Sequence, residues 1–235
     1  MIKAVFFDLD GTLLPFNENE FVKVYFGLLA KKLNPLGYEK DRLVDCLWTG
    51  TKKMMMNDGS KTNEEVFWDY FAEVYGQEKL EDKEFINSFY TNEFKQVKSI
   101  CKENPYVRDI IDYCKKNNLL VVLATNPIFP KAGTLTRMSF IGLKDEDFDF
   151  VTVYENSKLA KPNPKYYQWL LDKFNLQGEE VLMFGNNEYE DGIAQTLGMK
   201  TYLVGDYIIE NNKLGLDLER IQLSEIKNKI TENIK

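Results

Sequence analysis

The sequence predicts an α/β protein with a doubly wound parallel sheet, Rossmann-like in arrangement, and an inserted helical domain. Three observations lead to this prediction. The chain begins with a short apolar run, Ala4-Val5-Phe6-Phe7, that is typical of a buried strand. Residues 17–100 then place apolar side chains at helical spacing and contain no convincing strand. From residue 105 onward, short apolar runs alternate with helical patterns, as in parallel sheets whose helices cover both faces.

The helical stretch after the first strand divides into about four predicted helices. Apolar residues three and four apart mark one helix between Phe21 and Leu29 and another between Val66 and Val74. Thr62 or Asn63, followed by two glutamates, predicts a capped helix start.

The second half of the chain predicts a regular alternation of elements. In order, they are a helix over 106–116, a strand over 119–124, a helix over 130–141, a strand over 150–154, a helix over 164–174, a strand over 181–184, a helix over 189–197 and a strand over 200–204. The first strand must join the same sheet. We therefore expect residues 1–16 and 101–235 to form an α/β core domain, with residues 17–100 inserted as a helical domain.

Composition excludes several classes of function. The chain has no histidine, which excludes Ser-His-Asp, Cys-His and histidine-ligated metal mechanisms. Its three cysteines, Cys46, Cys101 and Cys114, are widely spaced, so neither a disulfide framework nor a thiolate zinc site is expected. A net charge of -7 and a pI near 4.9 argue against a nucleic-acid partner.

The apolar stretches are too short for a membrane protein. None approaches the ~20 residues that a bilayer span needs. The apolar run at the N-terminus is shorter than a secretory signal core, and Asp8 interrupts it. We therefore expect a cytoplasmic protein without a membrane partner. The sequence leaves the oligomeric state open and is compatible with a monomer.

The first strand is followed directly by two acidic residues, Asp8 and Asp10. Because residues two apart in an extended backbone point to the same side, their carboxylates can converge. The resulting repulsion can be relieved by a hard metal such as Mg²⁺, which prefers oxygen ligands, or by a raised pKa on one carboxyl group. Both alternatives are open at this stage.

Polar residues also follow the later predicted strands. Thr125 and Asn126 suit a phosphate oxygen, Lys161 supplies a positive charge, and Glu190 or Asp191 could complete an oxygen cage for a metal. Each piece alone could be an ordinary turn, a surface lysine or an acidic helix start. Together they follow successive strands of one sheet, and ligands bind at the carboxyl edge of such sheets. This order predicts a functional site.

In this order the motifs resemble those of the haloacid dehalogenase-like (HAD) superfamily of aspartate-nucleophile hydrolases. The matching segments are Asp8-x-Asp10-Gly11-Thr12, Thr125, Lys161-Pro162 and Gly185-x5-Asp191. The resemblance covers nearly the whole chain, and it implies that the helical insertion is a cap domain. Dehalogenases of that superfamily lack the second aspartate of the first motif, so the presence of Asp10 implies phosphoryl transfer.

The resemblance implies a Mg²⁺-dependent phosphatase that hydrolyses a small phosphorylated metabolite through an aspartyl-phosphate. It implies a nucleophilic Asp8 and an acid/base Asp10 with a raised pKa. The implied catalytic residues are Asp8, Asp10, Thr125 and Lys161; the implied phosphate-binding residues are Leu9, Thr125, Asn126 and Lys161; the implied Mg²⁺ ligands are Asp8, Asp10, Asn186 and Asp191. Asn186 stands where that superfamily usually has an acid, which predicts either weaker Mg²⁺ binding or binding that depends more on Asp191 and Glu190.

Other functions remain open on the same framework. A phosphomutase is one alternative. A phosphonate hydrolase, in which Lys52 or Lys53 forms a Schiff base with the substrate, is another. A non-catalytic phospho-ligand binding protein is a third alternative, motivated by Asn186. Within the predicted cap, the candidate substrate contacts are Arg42, Lys52, Lys53, Phe16 and Tyr25.

Overall fold

A computed structural model describes residues 1–234 of the chain. Its six strands are β1 (Ala4–Phe7), β2 (Leu120–Leu123), β3 (Phe150–Val151), β4 (Val181–Gly185), β5 (Lys200–Val204) and β6 (Glu219–Ile221). They form one sheet in the order β3-β2-β1-β4-β5-β6, and every pairing is parallel. The predicted α/β class with a parallel sheet is confirmed.

Eight α-helices accompany the sheet in the described residues. They are α1 (Glu18–Leu33), α2 (Lys40–Met55), α3 (Asn63–Tyr75), α4 (Lys83–Thr91), α5 (Val107–Lys116), α6 (Lys131–Phe140), α7 (Pro164–Phe174) and α8 (Ile226–Ile234). The first four confirm the predicted run of helices, and short 3₁₀ segments link them. At the start of α3, the Thr62 side chain accepts the Glu65 N–H, and the Glu65 carboxylate accepts the Thr62 N–H. None of these helices combines the length and the apolar character that a bilayer crossing requires.

Both faces of the sheet are covered, as a doubly wound sheet requires. Successive side chains of a strand point to opposite faces, so β1 contributes to two cores. Ala4 and Phe6 pack on one face against α7, whereas Val5 and Phe7 pack on the other against α5 and the N-terminal helices. All four are fully buried, which places the end of β1 deep in the molecule.

Residues 18–100, here named the helical segment, cover the carboxyl edge of the sheet. The Asn63 amide donates to the carbonyl oxygens of Pro127 at 3.0 Å and Leu159 at 3.2 Å. Elsewhere the Thr136 hydroxyl donates to the Tyr90 carbonyl at 2.8 Å. These bonds hold the segment over the strand ends. Its status as a separate cap domain stays a prediction.

The predicted strand over 150–154 is wrong beyond its second residue. Only Phe150 and Val151 pair with β2. The Asn156 side chain accepts the Val153 N–H at 3.0 Å and donates to the Val151 carbonyl at 2.9 Å. A side chain that bonds nearby backbone in this way competes with a sheet ladder and turns the chain.

The predicted helix over 189–197 is confirmed only in its second part, and there it is a 3₁₀ helix rather than an α-helix. The chain makes a turn after β4, and a 3₁₀ helix covers only Gly192–Leu197. The Asn187 side chain accepts the N–H groups of Tyr189 and Glu190, and the Asp191 carboxylate accepts those of Asn186 and Asn187. These bonds satisfy the backbone without a regular helix.

Two C-terminal elements, β6 and α8, were not predicted. Edge strand β6 exposes Glu219 and Arg220 and so lacks an apolar run. The spacing of Ile226 and Ile230, both buried in α8, was a usable helix signal.

Candidate active site

Asp8 directly follows the central strand β1 and is held by groups from three other parts of the chain. Its N–H donates to the Phe184 carbonyl at 2.8 Å. One carboxylate oxygen accepts the Lys161 ammonium at 2.9 Å, and the other accepts the Thr12 hydroxyl at 3.1 Å. Burial raises the pKa of Asp8 to about 7, while the Lys161 ammonium acts in the opposite direction.

Lys161 is fully buried between two carboxylates. Its ammonium lies 2.9 Å from Asp8 and 2.5 Å from Asp191. Burial acts to lower the pKa of Lys161, but the carboxylates of Asp191 and Asp8 outweigh burial and raise it well above its ordinary value. Lys161 is therefore a fixed cation directly beside the candidate nucleophile.

Asp191 braces the loop that follows β4. Its Oδ2 accepts the N–H groups of Asn186 and Asn187 at 2.9 and 3.0 Å, while its Oδ1 accepts Lys161. A Cβ at Gly185 would overlap the Asp191 carboxylate, so glycine is needed where this loop begins. Both oxygens of Asp191 are thus engaged within the protein.

Asn186 lies beside Asp8 with its amide orientation fixed. Its Nδ2 donates to the Tyr207 carbonyl at 2.8 Å, and its Oδ1 lies 3.4 Å from the Thr12 hydroxyl that also bonds Asp8. The Asn186 Oδ1 and the Asp8 Oδ2 therefore both lie within 3.4 Å of the Thr12 hydroxyl. Gly11, at a φ of +78°, passes so close that a Cβ there would overlap the Asn186 amide.

Asp10 pairs with an arginine that sequence reasoning missed. Arg137, fully buried on α6, donates to Asp10 Oδ2 at 2.5 Å and stacks on the Phe129 ring at 4.1 Å. Asp10 Oδ1 has no hydrogen-bond partner within residues 1–234. Burial raises the pKa of Asp10, although the positive charges of Arg137 and Lys161 oppose this shift. This is the direction predicted for an acid/base group. An arginine on a helix usually indicates a solvated face, so no local signal identified Arg137.

Thr125 and Asn126 follow β2, next to β1 in the sheet. The Thr125 carbonyl accepts the hydroxyls of Thr152 and Tyr166 at 2.7 and 3.0 Å, which fixes the strand end. The Asn126 side chain accepts the Lys161 N–H at 3.2 Å and donates to Glu190 at 2.9 Å. The Asn126 side chain therefore positions the loop that contains Lys161. What remains for a phosphate is mainly the backbone N–H of Asn126.

Glu190 and Leu9 complete the surroundings of the predicted site. Burial raises the pKa of Glu190 to about 8, with Lys161 opposing the shift. The Leu9 side chain is fully buried, and its carbonyl accepts the N–H groups of Thr12 and Leu14. Only the backbone amide of Leu9 can therefore face a phosphate.

These strand ends open into one cavity of about 540 Å³. The predicted residues that line it are Asp8, Asp10, Thr125, Asn126, Asn186 and Asp191, together with Phe16 and Tyr25. Lys161 lies behind the carboxylates of Asp8 and Asp191. The structure thus brings the four sequence motifs together at one edge of the sheet.

The basic residues considered as substrate contacts lie elsewhere. Arg42 donates to the Val74 carbonyl and stacks on Tyr75, and Lys53 stacks on Tyr70. Lys52 borders a separate open groove. None of these three lines the cavity.

Comparison with known proteins shows which family the chain resembles. A family model described as haloacid dehalogenase-like hydrolase matches residues 2–194. The chain is 27% identical over 127 residues to a phosphorylated carbohydrates phosphatase of Thermotoga maritima; the match spans 52% of this chain and 57% of that relative. It is 26% identical over 204 residues to pyrophosphatase PpaX of Bacillus cereus, spanning 86% of this chain and 83% of that relative.

A solved structure shows the same fold. The crystal structure of a HAD phosphatase from Thermococcus onnurineus superposes with a TM-score of 0.60 at 17% identity. The match covers 97% of this chain and 98% of that one.

Proposed function

Since the chain belongs to the haloacid dehalogenase-like hydrolase family, we propose that it is a Mg²⁺-dependent phosphatase acting on a small phosphorylated metabolite. One observation carries the proposal. Asp8 and Asp10 follow the central strand of a parallel sheet, and each has its own buried cation, Lys161 and Arg137 respectively. This arrangement suits a nucleophile and an acid/base group with separate tasks.

Asp8 is the proposed nucleophile. A carboxylate oxygen attacks phosphorus, the bond from phosphorus to the ester oxygen breaks, and an aspartyl-phosphate forms. Water then attacks the same phosphorus and returns the free carboxylate and inorganic phosphate. The Lys161 ammonium favours the ionised form of Asp8, which the attack requires.

Asp10 is the proposed acid/base group. It donates a proton to the leaving ester oxygen and later takes one from the attacking water. The unpartnered Asp10 Oδ1 supports this role, because it is free to meet a substrate oxygen while Arg137 holds Oδ2. The raised pKa of Asp10 also favours a carboxyl group that can carry a proton.

The phosphoryl oxygens need hydrogen-bond donors and positive charge around Asp8. We assign this to Thr125 and to the backbone amides of Leu9 and Asn126, and we propose that the Lys161 ammonium stabilises the phosphoryl charge from its position beside Asp8. Donors fixed by the fold stabilise developing charge without rearrangement during the reaction.

The oxygen atoms beside Asp8 fit a magnesium ion. Mg²⁺ commonly uses one or two carboxylates and completes its shell with water and substrate phosphate. Asp8 and Asn186 each have an oxygen next to the Thr12 hydroxyl, and we propose these two side chains and the Asp10 carbonyl as ligands. Asp191 is already engaged, so we propose that it positions Asn186 and adds negative charge nearby. No cluster of three or more His, Cys, Asp or Glu suited to a metal occurs within residues 1–234. When bound, the ion would offset charge between the nucleophile and the phosphate.

Asn186→Asp is expected to lower the Mg²⁺ concentration for half-maximal activity by about tenfold, since a carboxylate adds charge to the ligand set. Titration of phosphate release with Mg²⁺ measures this change, and calorimetry reports Mg²⁺ binding directly. Asn187→Asp is the matched control, because it adds the same charge one residue away. An unchanged Mg²⁺ requirement in Asn186→Asp would show that position 186 is not a ligand.

Arg137→Met is expected to lower kcat about 10- to 100-fold with little change in KM, because misplacing a catalytic group by about 1 Å has effects of this size. Arg137 is a positioning residue in this scheme, acting through Asp10. Arg137→Lys, which keeps a cation, should recover part of kcat. Steady-state kinetics with p-nitrophenyl phosphate, alongside thermal melting, separates this effect from misfolding. A wild-type kcat in Arg137→Met would contradict the role.

Phosphate release from p-nitrophenyl phosphate, with Mg²⁺ or with EDTA, tests the proposed function. Metal-dependent release supports a phosphatase. Absence of release from a folded protein that binds phosphate would instead favour the binding-protein alternative. The phosphonate hydrolase is disfavoured, because neither Lys52 nor Lys53 lines the cavity.

A further inference from the structure

The cavity continues from the catalytic carboxylates into the helical segment. Its volume of about 540 Å³ lies in the range typical of small-molecule sites. Away from the strand ends, apolar side chains of α1 to α4 form most of its wall, among them Phe21, Phe26, Phe67, Trp68 and Phe71. The space available to the leaving group is thus mainly aromatic and aliphatic.

The wall carries no positive charge. None of its described lining residues is a lysine or an arginine. The charged residues that line it are all acidic: Asp8, Asp10, Glu18, Glu190, Asp191 and Asp206. A second anionic group on the substrate would lose its hydration and meet carboxylates with no cation to pair with it. The cavity therefore disfavours pyrophosphate, bisphosphates and phosphorylated carboxylic acids.

Two pairs of polar groups deeper in the cavity bond each other, whereas the Asn87 Oδ1 has no hydrogen-bond partner within residues 1–234. The Tyr25 and Tyr90 hydroxyls lie 2.9 Å apart, and the Trp68 Nε1 donates to the Tyr154 hydroxyl at 3.3 Å. Burial raises the pKa of Tyr90 to about 12, so this phenol stays neutral. A sugar with many hydroxyls would have to break these pairs or remain unsatisfied.

We propose that the preferred substrate is a phosphate monoester of an apolar, bulky and uncharged alcohol, whose carbon body fills the cavity within the helical segment. This inference rests on the proposed phosphatase function. The phosphoryl group lies at Asp8, and the alcohol leaves with the proton from Asp10. It differs from the substrates named for the two relatives, pyrophosphate and phosphorylated carbohydrates.

A series of alkyl phosphates tests the proposal without changing the reactivity of the leaving group. The values of kcat/KM are compared for ethyl, butyl and hexyl phosphate and for an analogue of hexyl phosphate that carries a carboxylate at the far end of the chain. We expect kcat/KM to rise by up to about fourfold for each methylene, equivalent to about 0.8 kcal/mol of transfer free energy. The carboxylate analogue should be at least about 100-fold worse than hexyl phosphate. Equal kcat/KM values across the series would overturn the proposal.

A cation introduced into the wall should weaken the preference for hexyl phosphate over the carboxylate analogue. Thr51 lines the cavity from α2, whereas Thr49 on the same helix does not. Thr51→Lys is expected to raise kcat/KM for the carboxylate analogue about tenfold and to lower it for hexyl phosphate, because the ammonium can pair with the carboxylate. The matched control, Thr49→Lys, should leave both values unchanged. The same change in both variants would indicate a general charge effect and contradict the assigned wall.

Binding of non-hydrolysable phosphonates separates this inference from the phosphatase proposal. Calorimetry should show tighter binding of hexylphosphonate than of ethylphosphonate. Tight hexylphosphonate binding without turnover of any ester would refute the phosphatase and still support the apolar cavity. Asp8-dependent turnover with equal affinity for the two phosphonates would support the phosphatase and overturn the apolar substrate class.

Discussion

Replacing Asp8 by asparagine is expected to lower kcat for p-nitrophenyl phosphate by at least about 1,000-fold, because an amide cannot form the acyl phosphate. The fold should survive the change. Asparagine has the same shape, its Oδ1 can still accept the Lys161 ammonium, and Asp191 remains as the carboxylate partner of that lysine. Steady-state phosphate release and thermal melting measure the two effects separately.

A direct test of the intermediate accompanies this variant. Acid quenching during turnover, followed by peptide mass spectrometry, should locate a phosphoryl group on the peptide that contains Asp8. The Asp8→Asn protein should carry none. Retained turnover in the variant, or a phosphoryl group on another residue, would refute the proposed nucleophile.

Lys161→Met is expected to lower kcat for phosphate release by at least about 1,000-fold. It should also lower the free energy of unfolding by about 3–5 kcal/mol. Loss of the ammonium leaves Asp8 and Asp191 buried without their shared cation. Chemical denaturation and phosphate release measure the two losses.

The stability loss should depend on pH. Burial already raises the pKa of Asp8 to about 7, and losing Lys161 removes an interaction that opposes this shift. When the pKa of a carboxyl group is higher in the folded state than in the unfolded state, the folded protein loses stability as pH rises. The loss begins near the unfolded pKa of about 4 and is complete above the folded pKa. Measured with EDTA, the Lys161→Met protein should therefore be closer to wild type at about pH 5 than at about pH 8.

A double variant distinguishes structural from catalytic roles of the lysine. Adding Asp191→Asn to Lys161→Met removes one of the unpaired carboxylates, while an amide oxygen can still accept the Asn186 and Asn187 N–H groups. We expect partial recovery of stability without recovery of activity. Recovery of both would mean that Lys161 serves only to neutralise buried charge.

The succession of strands along the chain and the position of the motifs could be predicted because both depend on local patterns. Buried parallel strands are short apolar runs, and the residues that follow them meet at one edge. Asp8, Thr125, Asn186 and Lys161 were located in this way.

Features that depend on contacts between distant residues could not be predicted. Arg137 pairs with Asp10 across 127 residues of sequence, and nothing around position 137 indicates it. The predicted helix over 189–197 begins only at Gly192, because the Asp191 and Asn187 side chains bond the loop backbone before it. The apolar wall of the cavity follows from the packing of four helices, so the basic residues Arg42, Lys52 and Lys53 could be excluded from it only with the structure in hand.

The central position of β1 has a consequence for how the protein is made. Asp8 is synthesised well before β2 and β4, yet β1 is completed only when Ala4 pairs with Leu120 on one side and with Val181 on the other. Pairings so distant along the chain slow folding, because a long loop must close before they form. A ribosome-bound chain that ends before β4 would therefore hold the nucleophile at an unfinished sheet edge, without the Asp191 loop. We expect phosphatase activity to appear only at the last stage of folding, so its onset can serve as a kinetic marker of the finished sheet.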